Sequence, residues 1–534
     1  MSISKRTATR ILESVPGILS WSVLLFPLIF SFIVPEIVAA FYILFSLFWL
    51  LRALSFSFYL IWNYYIFRRQ ESVDWTYIYS SLADSRTIAF DKHIPGTLRQ
   101  LIRMRENTHI HPVGIRDIKN IIIIPTYKEP YEILADTIQS IRKSNFNLKQ
   151  VTLVIATEER DHENATATAA KLEKKFSHFF EHFLHVEHPK NIPGEVPGKG
   201  GNISFACKKT VAYLQGKGEL TPETTGNYIV TTIDADNRLH TEYLRILTIY
   251  FFLTPDRQHF SYQPLPFLCN NLWDVPIFNR LVAISSTFWH LIESGRRDKL
   301  RNFSSHAQPL EALIDMNYWS TNTIVEDGHQ FWRSYIHFRG KYAVIPIFIP
   351  IFQDAVGHEK YISSLLAQYK QLRRWAYGAE DFAYVIKRTW QLRRELPIWK
   401  TFFHILQLLE GHIMWATAPL ILTFSSYTPK ILSPHFIETT IYYNLSIIMG
   451  YLFSLSFVGI VVSIWISLVT LPPFPKNISI KRTWYLRISL VLQWFLLPFT
   501  TTVFAALPAL ETQTRLIFGN KLGFNVTEKV RKNP

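Results

Sequence analysis

The sequence predicts an α/β domain of the Rossmann-like kind held between helical transmembrane blocks, and three observations lead there. The 534 residues are 48% hydrophobic and 15% aromatic, too apolar for an ordinary soluble enzyme. The excess gathers in residues 17–66 and 401–510, leaving a mixed polar and apolar stretch between them. Within that stretch, short continuous apolar runs alternate with a helical pattern, the signature of buried parallel strands and their crossovers.

Crossing the hydrocarbon core takes about 20 apolar residues, and segments 17–34, 37–67, 401–424, 441–470 and 485–510 qualify. Arg52 falls near the middle of the second. It is read as the place where a spanning helix gives way to an interfacial one, with snorkelling or a protein partner as alternatives. Lys5, Arg6, Arg10, Arg68, Arg69, Lys476, Lys481 and Arg482 flank the apolar runs. That is the positive-inside pattern, so the net charge of +15 points to a membrane surface and not to nucleic acid. The expectation is an integral protein of the plasma or inner membrane with a cytoplasmic central domain. Five full crossings would strand the basic tail (Arg515, Lys521, Lys529, Arg531, Lys532) outside, so four or five remain open. Pro498, followed by Thr500, Thr501 and Thr502, makes the last segment the one expected to be irregular.

The predicted division is therefore two N-terminal transmembrane helices in 1–70 and a linker or interfacial segment in 71–118. The α/β domain occupies 119–360, amphipathic interface helices 361–400, the C-terminal transmembrane region 401–510 and a basic tail 511–534. Cys207 and Cys269 read as buried free thiols of a reducing compartment. The group His178, His182, His185 and His188 reads as a solvated helix and loop without function.

Residues 120–125 form an apolar run stopped by Pro125, a helical pattern covers 131–144, and further strands are expected at 151–156 and 228–233. In such sheets ligands collect beyond the carboxyl ends of the strands. Those ends carry Pro125-Thr126-Tyr127-Lys128-Glu129, Thr157-Glu158-Glu159-Arg160-Asp161 and Asp234-Ala235-Asp236. Farther on stand Val325-Glu326-Asp327-Gly328 and, on a predicted helix, Gln371-Leu372-Arg373-Arg374-Trp375.

This order over residues 119–378 resembles the inverting family 2 glycosyltransferases that include cellulose and hyaluronan synthases. Lys199-Gly200-Gly201-Asn202 is similar to their Lys-Ala-Gly-Asn element, and Val526-Thr527-Glu528-Lys529 to their Val-Thr-x-Lys tail. The resemblance implies a GT-A-type catalytic domain and a nucleotide-diphospho-sugar donor, with a UDP-sugar expected. It assigns nucleotide-sugar binding to Thr126, Tyr127, Glu129, Glu158, Lys199, Asp234 and Asp236, and Mg²⁺ or Mn²⁺ to Asp234 and Asp236. Asp327 would be the catalytic base, with Glu326, Gln371, Arg374 and Trp375 at the acceptor and diphosphate. Glu158-Glu159 stands where the family has Asp-Asp, which loosens the inference of uracil.

The chemistry suits these residue types. A departing diphosphate gathers negative charge, which a hard divalent cation on carboxylates stabilises, and an attacking hydroxyl needs a base. Gln371, Arg374 and Trp375 at i, i+3 and i+4 share one helix face. Arg suits a diphosphate and Trp a sugar ring, though the same face also suits a helix lying on the membrane. Bland alternatives stand beside these: a helix N-cap for Asp327, a flexible loop at Lys199, and a plain turn at Thr126 and Tyr127. The acceptor is expected to be a growing β-linked polysaccharide. A lipid acceptor is the alternative, because Gln-x-x-Arg-Trp also occurs in ceramide glucosyltransferase-like proteins, and a transporter is disfavoured by the long soluble stretch and the lack of internal repeats.

Overall fold

The computed structural model describes residues 3–90, 93–107, 114–424, 427–474 and 480–523, so the Val526-to-Lys529 resemblance lies outside the described residues. The chain divides into two compact units.

The α/β unit comprises Asn63–Asn270 and Trp289–Asp354. Among the described residues its eight strands are β1 Lys119–Pro125, β2 Val151–Glu158, β3 His182–His188, β4 Tyr228–Thr232, β5 Arg238–Leu239, β6 Phe260–Leu268, β7 His306–Pro309 and β8 Ala343–Gln353. They form one mixed sheet in the order β3-β2-β1-β4-β7-β6-β8-β5. β1 pairs in parallel with β2 on one side and β4 on the other, with β3 parallel outside β2, while β7 runs antiparallel beside β4. The chain steps outward from β1 to β3 and then returns to β4 on the opposite side of β1. The switch in strand order, where a ligand crevice opens, thus lies between β1 and β4.

Strand alternation gives each face its own core. Ile122, Ile124, Leu153, Ile155 and Ile229 pack under the helices Tyr131–Arg142, His162–Phe176 and Tyr243–Leu253. Ile121, Ile123, Val154, Ala156 and Val230 pack against Ile203, Ala206, Val211 and Leu214 of the helix Lys199–Gly216. Burial of both faces is why β1 and β2 read as unbroken apolar runs.

One histidine expectation is corrected. His182, His185 and His188 lie on the edge strand β3, not on a helix or loop. An edge strand is only partly covered, so polar residues interrupt Phe183, Leu184 and Val186 and hide the apolar run. His182 pairs with Glu219, His188 with Glu195, and His185 Nε2 lies 2.9 Å from Thr157 Oγ1.

His290 belongs to the same unit, with its ring 4.3 Å from that of Phe303 and its Nδ1 without a hydrogen-bond partner. Burial lowers its pKa to about 3. An unfolded histidine titrates near 6.5, so the unfolded chain binds the proton more readily. The resulting stability is complete above that pH and is lost as pH falls from 6.5 toward 3, by about 2 kcal/mol at pH 5. The thermal midpoint of wild type is therefore expected to drop more between pH 7 and pH 5 than that of His290→Gln. Equal drops in differential scanning fluorimetry would contradict this.

The second unit comprises Met1–Trp62, Asn271–Phe288 and Ala355–Lys532. Among the described residues, five helices are long and apolar enough to cross a membrane: Thr7–Phe30, Pro35–Glu71, Ile398–Thr423, Thr440–Thr470 and Thr483–Phe518. The expected break at Arg52 does not occur, because the helix Pro35–Glu71 runs through it. Arg52 pairs with Glu410 and lies over the rings of Phe48, Trp49 and Phe56, so its charge is compensated inside the helical block. The last span is irregular where Pro498 predicts it, with a 3₁₀ turn at Gln493–Leu496 and a π turn at Thr502–Ala506. Pro498 removes the usual donor to the Trp494 carbonyl, which the Leu497 amide serves instead, and Thr500 and Thr501 donate their hydroxyls to the carbonyls of Leu496 and Leu497 at 2.8 and 2.9 Å.

Candidate active site

Lys199 opens the helix Lys199–Gly216 and does not sit in a flexible loop. Its approach to the next segment depends on Gly200, where a Cβ would come within 2.4 Å of the Ser320 carbonyl oxygen and 3.1 Å of Glu326 Cβ. The close contact puts Lys199 Nζ 3.0 Å from Asp234 Oδ1, 3.4 Å from Asp327 Oδ1 and 3.7 Å from Glu326 Oε1. Nζ also donates to the Ser304 carbonyl at 2.7 Å. The lysine side chain is only 12% exposed. Burial alone would lower its pKa, but Asp234, Asp327 and Glu326 hold it above the ordinary lysine range. One ammonium thus serves three carboxylates.

Asp234 follows β4 at the switch in strand order, and the chain turns at once, with the Asn237 amide bonding back to the Asp234 carbonyl at 3.0 Å. Asp236 is carried inward by that turn, is 3% exposed, and accepts the Asp354 amide on Oδ2 at 2.9 Å. Glu326 and Asp327 are the first two residues of the helix Glu326–His337, whose N-cap is Val325, so Asp327 is no cap. Two carboxylates in a first turn meet the positive end of the helix dipole.

His306 was not singled out from the sequence, yet it borders this cluster. Its Nδ1–H donates to the Phe303 carbonyl at 2.8 Å and its Nε2 accepts from Trp319 Nε1 at 3.5 Å. Burial is the main cause of its lowered pKa, opposed by Asp327, so it stands as a neutral ring. Four-residue β7 is too short to show periodicity, and no local signal marks His306 or the Ser304 carbonyl.

The remaining predicted donor residues divide around the ends of β1 and β2. Glu158 is 6% exposed, points to the same face as Val154 and Ala156 by alternation, and accepts Arg160 Nε at 2.8 Å. The Arg160 guanidinium lies 4.6 Å above the Tyr127 ring. Thr126, however, joins Ile155 and Thr157 in lining a cavity of about 420 Å³ on the opposite face, beside Asn164 and Thr168 of the helix His162–Phe176. Glu129 lines it too and accepts the Thr126 hydroxyl at 2.8 Å and the Tyr127 amide, which makes it a fastener of this turn. The structure therefore gathers Lys199, Asp234, Glu326 and Asp327, and sets Thr126 and Glu129 apart.

Gln371, Arg374 and Trp375 lie on the helix Tyr361–Ala376 in the second unit. Gln371 Oε1 accepts from Gln368 Nε2 at 3.1 Å, and Trp375 packs half-buried against Val282, Leu372 and Phe504. The helix is fixed from Glu511, which bonds Tyr369 and Arg373 at 2.9 Å each.

The donor set at Asp234 and Asp236 is purely carboxylate, which suits a hard cation such as Mg²⁺ or Mn²⁺. No cluster of three or more metal-ligating side chains occurs among the described residues. One or two carboxylates shared with substrate phosphates is nonetheless the usual protein contribution to Mg²⁺. The residues present fit a cation of that kind.

Among solved structures, the chain is similar to the mannosyltransferase PcManGT from Pyrobaculum calidifontis, in complex with GDP-Man and Mn²⁺. The identity is 12% over 76% of this chain and 88% of that one, with a TM-score of 0.42. It is also similar to S. aureus TarS 1-349 in complex with UDP-GlcNAc, at 13% identity over 64% of this chain and 90% of that one, with a TM-score of 0.30. No protein-family model and no curated protein sequence matches the chain. These likenesses are too distant to carry a function.

Proposed function

We propose that the chain is an inverting, membrane-embedded glycosyltransferase that moves a sugar from a nucleoside-diphospho-sugar to a hydroxyl of a growing β-linked polysaccharide. The observation that carries this reading is Lys199 Nζ within 3.0–3.7 Å of Asp234, Glu326 and Asp327 at the switch point of the sheet. The motif order supports it. Asp327 takes the acceptor proton as the acceptor oxygen bonds to the anomeric carbon. The anomeric carbon–phosphate oxygen bond breaks opposite to it, and its electron pair leaves with the diphosphate. Lys199, at a helix N-terminus, binds that diphosphate. Asp234 and Asp236 would hold the divalent cation, which supplies charge stabilisation to the leaving group.

Glu158 beside Arg160 sets an acceptor next to a donor, which complements the imide edge of uracil, and Tyr127 supports it from below. Trp375, with Gln371 and Arg374, receives the acceptor sugar in this reading. Catalysis takes place on the cytoplasmic side, where nucleotide-sugars are made.

The test is incubation of purified protein with a panel of nucleoside-diphospho-sugars and Mg²⁺ or Mn²⁺, scoring nucleotide release and product mass. A ladder of products, lost when the metal is chelated, is expected. Full turnover in excess chelator would remove the metal from the account. A single added sugar on lipid would replace the polymer acceptor.

A further inference from the structure

Arg280 is a cation inside the second unit that the proposed reaction leaves unused. It lies in the first turn of the helix Ile277–Ser294 and is 5% exposed. Its Nε donates to Gln493 Oε1 and its Nη2 to Ser489 Oγ, each at 2.9 Å. Both partners are neutral, and among the described residues no acidic group is paired with it. Gln493 is fully buried, and because its oxygen faces the guanidinium, its amide nitrogen lies just beyond, with no partner. Ser489 already spends its proton on the Leu486 carbonyl at 2.8 Å. The local inventory is a buried positive charge and surplus N–H donors, with no negative oxygen to receive them. A buried guanidinium left in that state is costly, which argues for a missing anionic partner.

We propose that Arg280 and Gln493 bind a phosphate oxyanion, the phosphodiester of a membrane phospholipid. The surroundings favour an anion: the helix Ile480–Leu492 carries Arg487 and no acidic residue. They also favour the headgroup level. Ser489 stands about 6 Å along the helix axis from Tyr485. Trp484 and Tyr485, 60% and 69% exposed, mark that end as the aromatic belt of an interface. Arg487 lies over the rings of Phe474 and Trp484 at 5.8 and 5.9 Å, completing a basic, aromatic rim.

The experiment is thermal unfolding of delipidated protein in detergent, in a phosphate-free buffer. Phosphatidylglycerol, diacylglycerol or inorganic phosphate is added to wild type and to Arg280→Met. Methionine keeps the apolar stem without the charge, and apolar replacement of a buried charge is often neutral or stabilising, so the variant is expected to fold. Phosphatidylglycerol should raise the midpoint of wild type by several degrees and that of Arg280→Met by less than a third as much, with diacylglycerol inert. An equal rise with inorganic phosphate keeps the site and makes its source soluble phosphate. Equal shifts in wild type and variant, or an equal effect of diacylglycerol, overturn the proposal. Should Arg280→Met fail to fold, Arg280→Lys takes its place, read by native mass spectrometry. It should lose the retained phospholipid that wild type keeps, and full retention would overturn the proposal.

Discussion

Replacing Lys199 by methionine is expected to produce the largest single effect on the α/β unit. The substitution leaves Asp234, Glu326 and Asp327 facing one another around the space where Nζ stood, 3.0–3.7 Å from each. Glu326 is 5% exposed and the two aspartates 28% and 22%, so water relieves the aspartates far more than the glutamate. A unit-charge pair 4 Å apart is worth about 4 kcal/mol at an effective dielectric of 20, before desolvation. Removing one partner of a buried pair typically costs about 3–5 kcal/mol. A fall of several degrees in the thermal midpoint follows, with nucleoside diphosphate affinity lowered at least tenfold. Millimolar Mn²⁺ should then raise the midpoint of Lys199→Met more than that of wild type, since a divalent ion supplies the charge the variant lacks. An unchanged midpoint, or Mn²⁺ acting equally on both proteins, would show that the lysine does not balance these carboxylates.

Asp327→Asn separates chemistry from binding. Asparagine keeps the size of the side chain and the helix start after Val325, but cannot accept a proton. Lys199 keeps its 3.0 Å contact with Asp234, so the donor side of the site stays in place. Loss of a general base typically lowers rate by about 10²–10⁴. The expected result is transfer reduced by that factor, with nucleoside diphosphate affinity by calorimetry within a few-fold of wild type. Parallel loss of affinity would make Asp327 a part of the donor or cation site.

Legibility in the sequence followed burial. β1, β2 and β4 are covered on both faces and appear as apolar runs, whereas β3 at the sheet edge is masked by its histidines. β6 and β8 are hidden by prolines, Pro264 and Pro266 in one and Pro346 and Pro350 in the other, residues that ordinarily argue against an inner strand. They pair in parallel all the same, with a register shift between Pro264 and Leu265 that accommodates the missing donors. The break in the last span was readable because Pro498 and the following threonines are a local cause. At Arg52 the structure selects the protein partner left as an alternative over the favoured break, a choice no local pattern makes because Glu410 is 358 positions away.

The site shows the same division. Motifs marked Lys199, Asp234, Glu326 and Asp327 separately. Their convergence on one ammonium depends on the close approach at Gly200 and on a loop that presents the Ser304 carbonyl. The separation of Thr126 from Glu158 follows from a single-residue offset in register, Pro125 opposite Ala156, which sends the two side chains to opposite faces.

The central claim is that this carboxylate and lysine cluster transfers sugar with inversion at the anomeric carbon. The most direct measurement is the anomeric configuration of the product, by proton NMR coupling constants, made from an α-linked nucleoside-diphospho-sugar under divalent-cation-dependent turnover. The account predicts a β-linked product, absent with Asp327→Asn. An α-linked product, or β-linked product formed equally by Asp327→Asn, would contradict it.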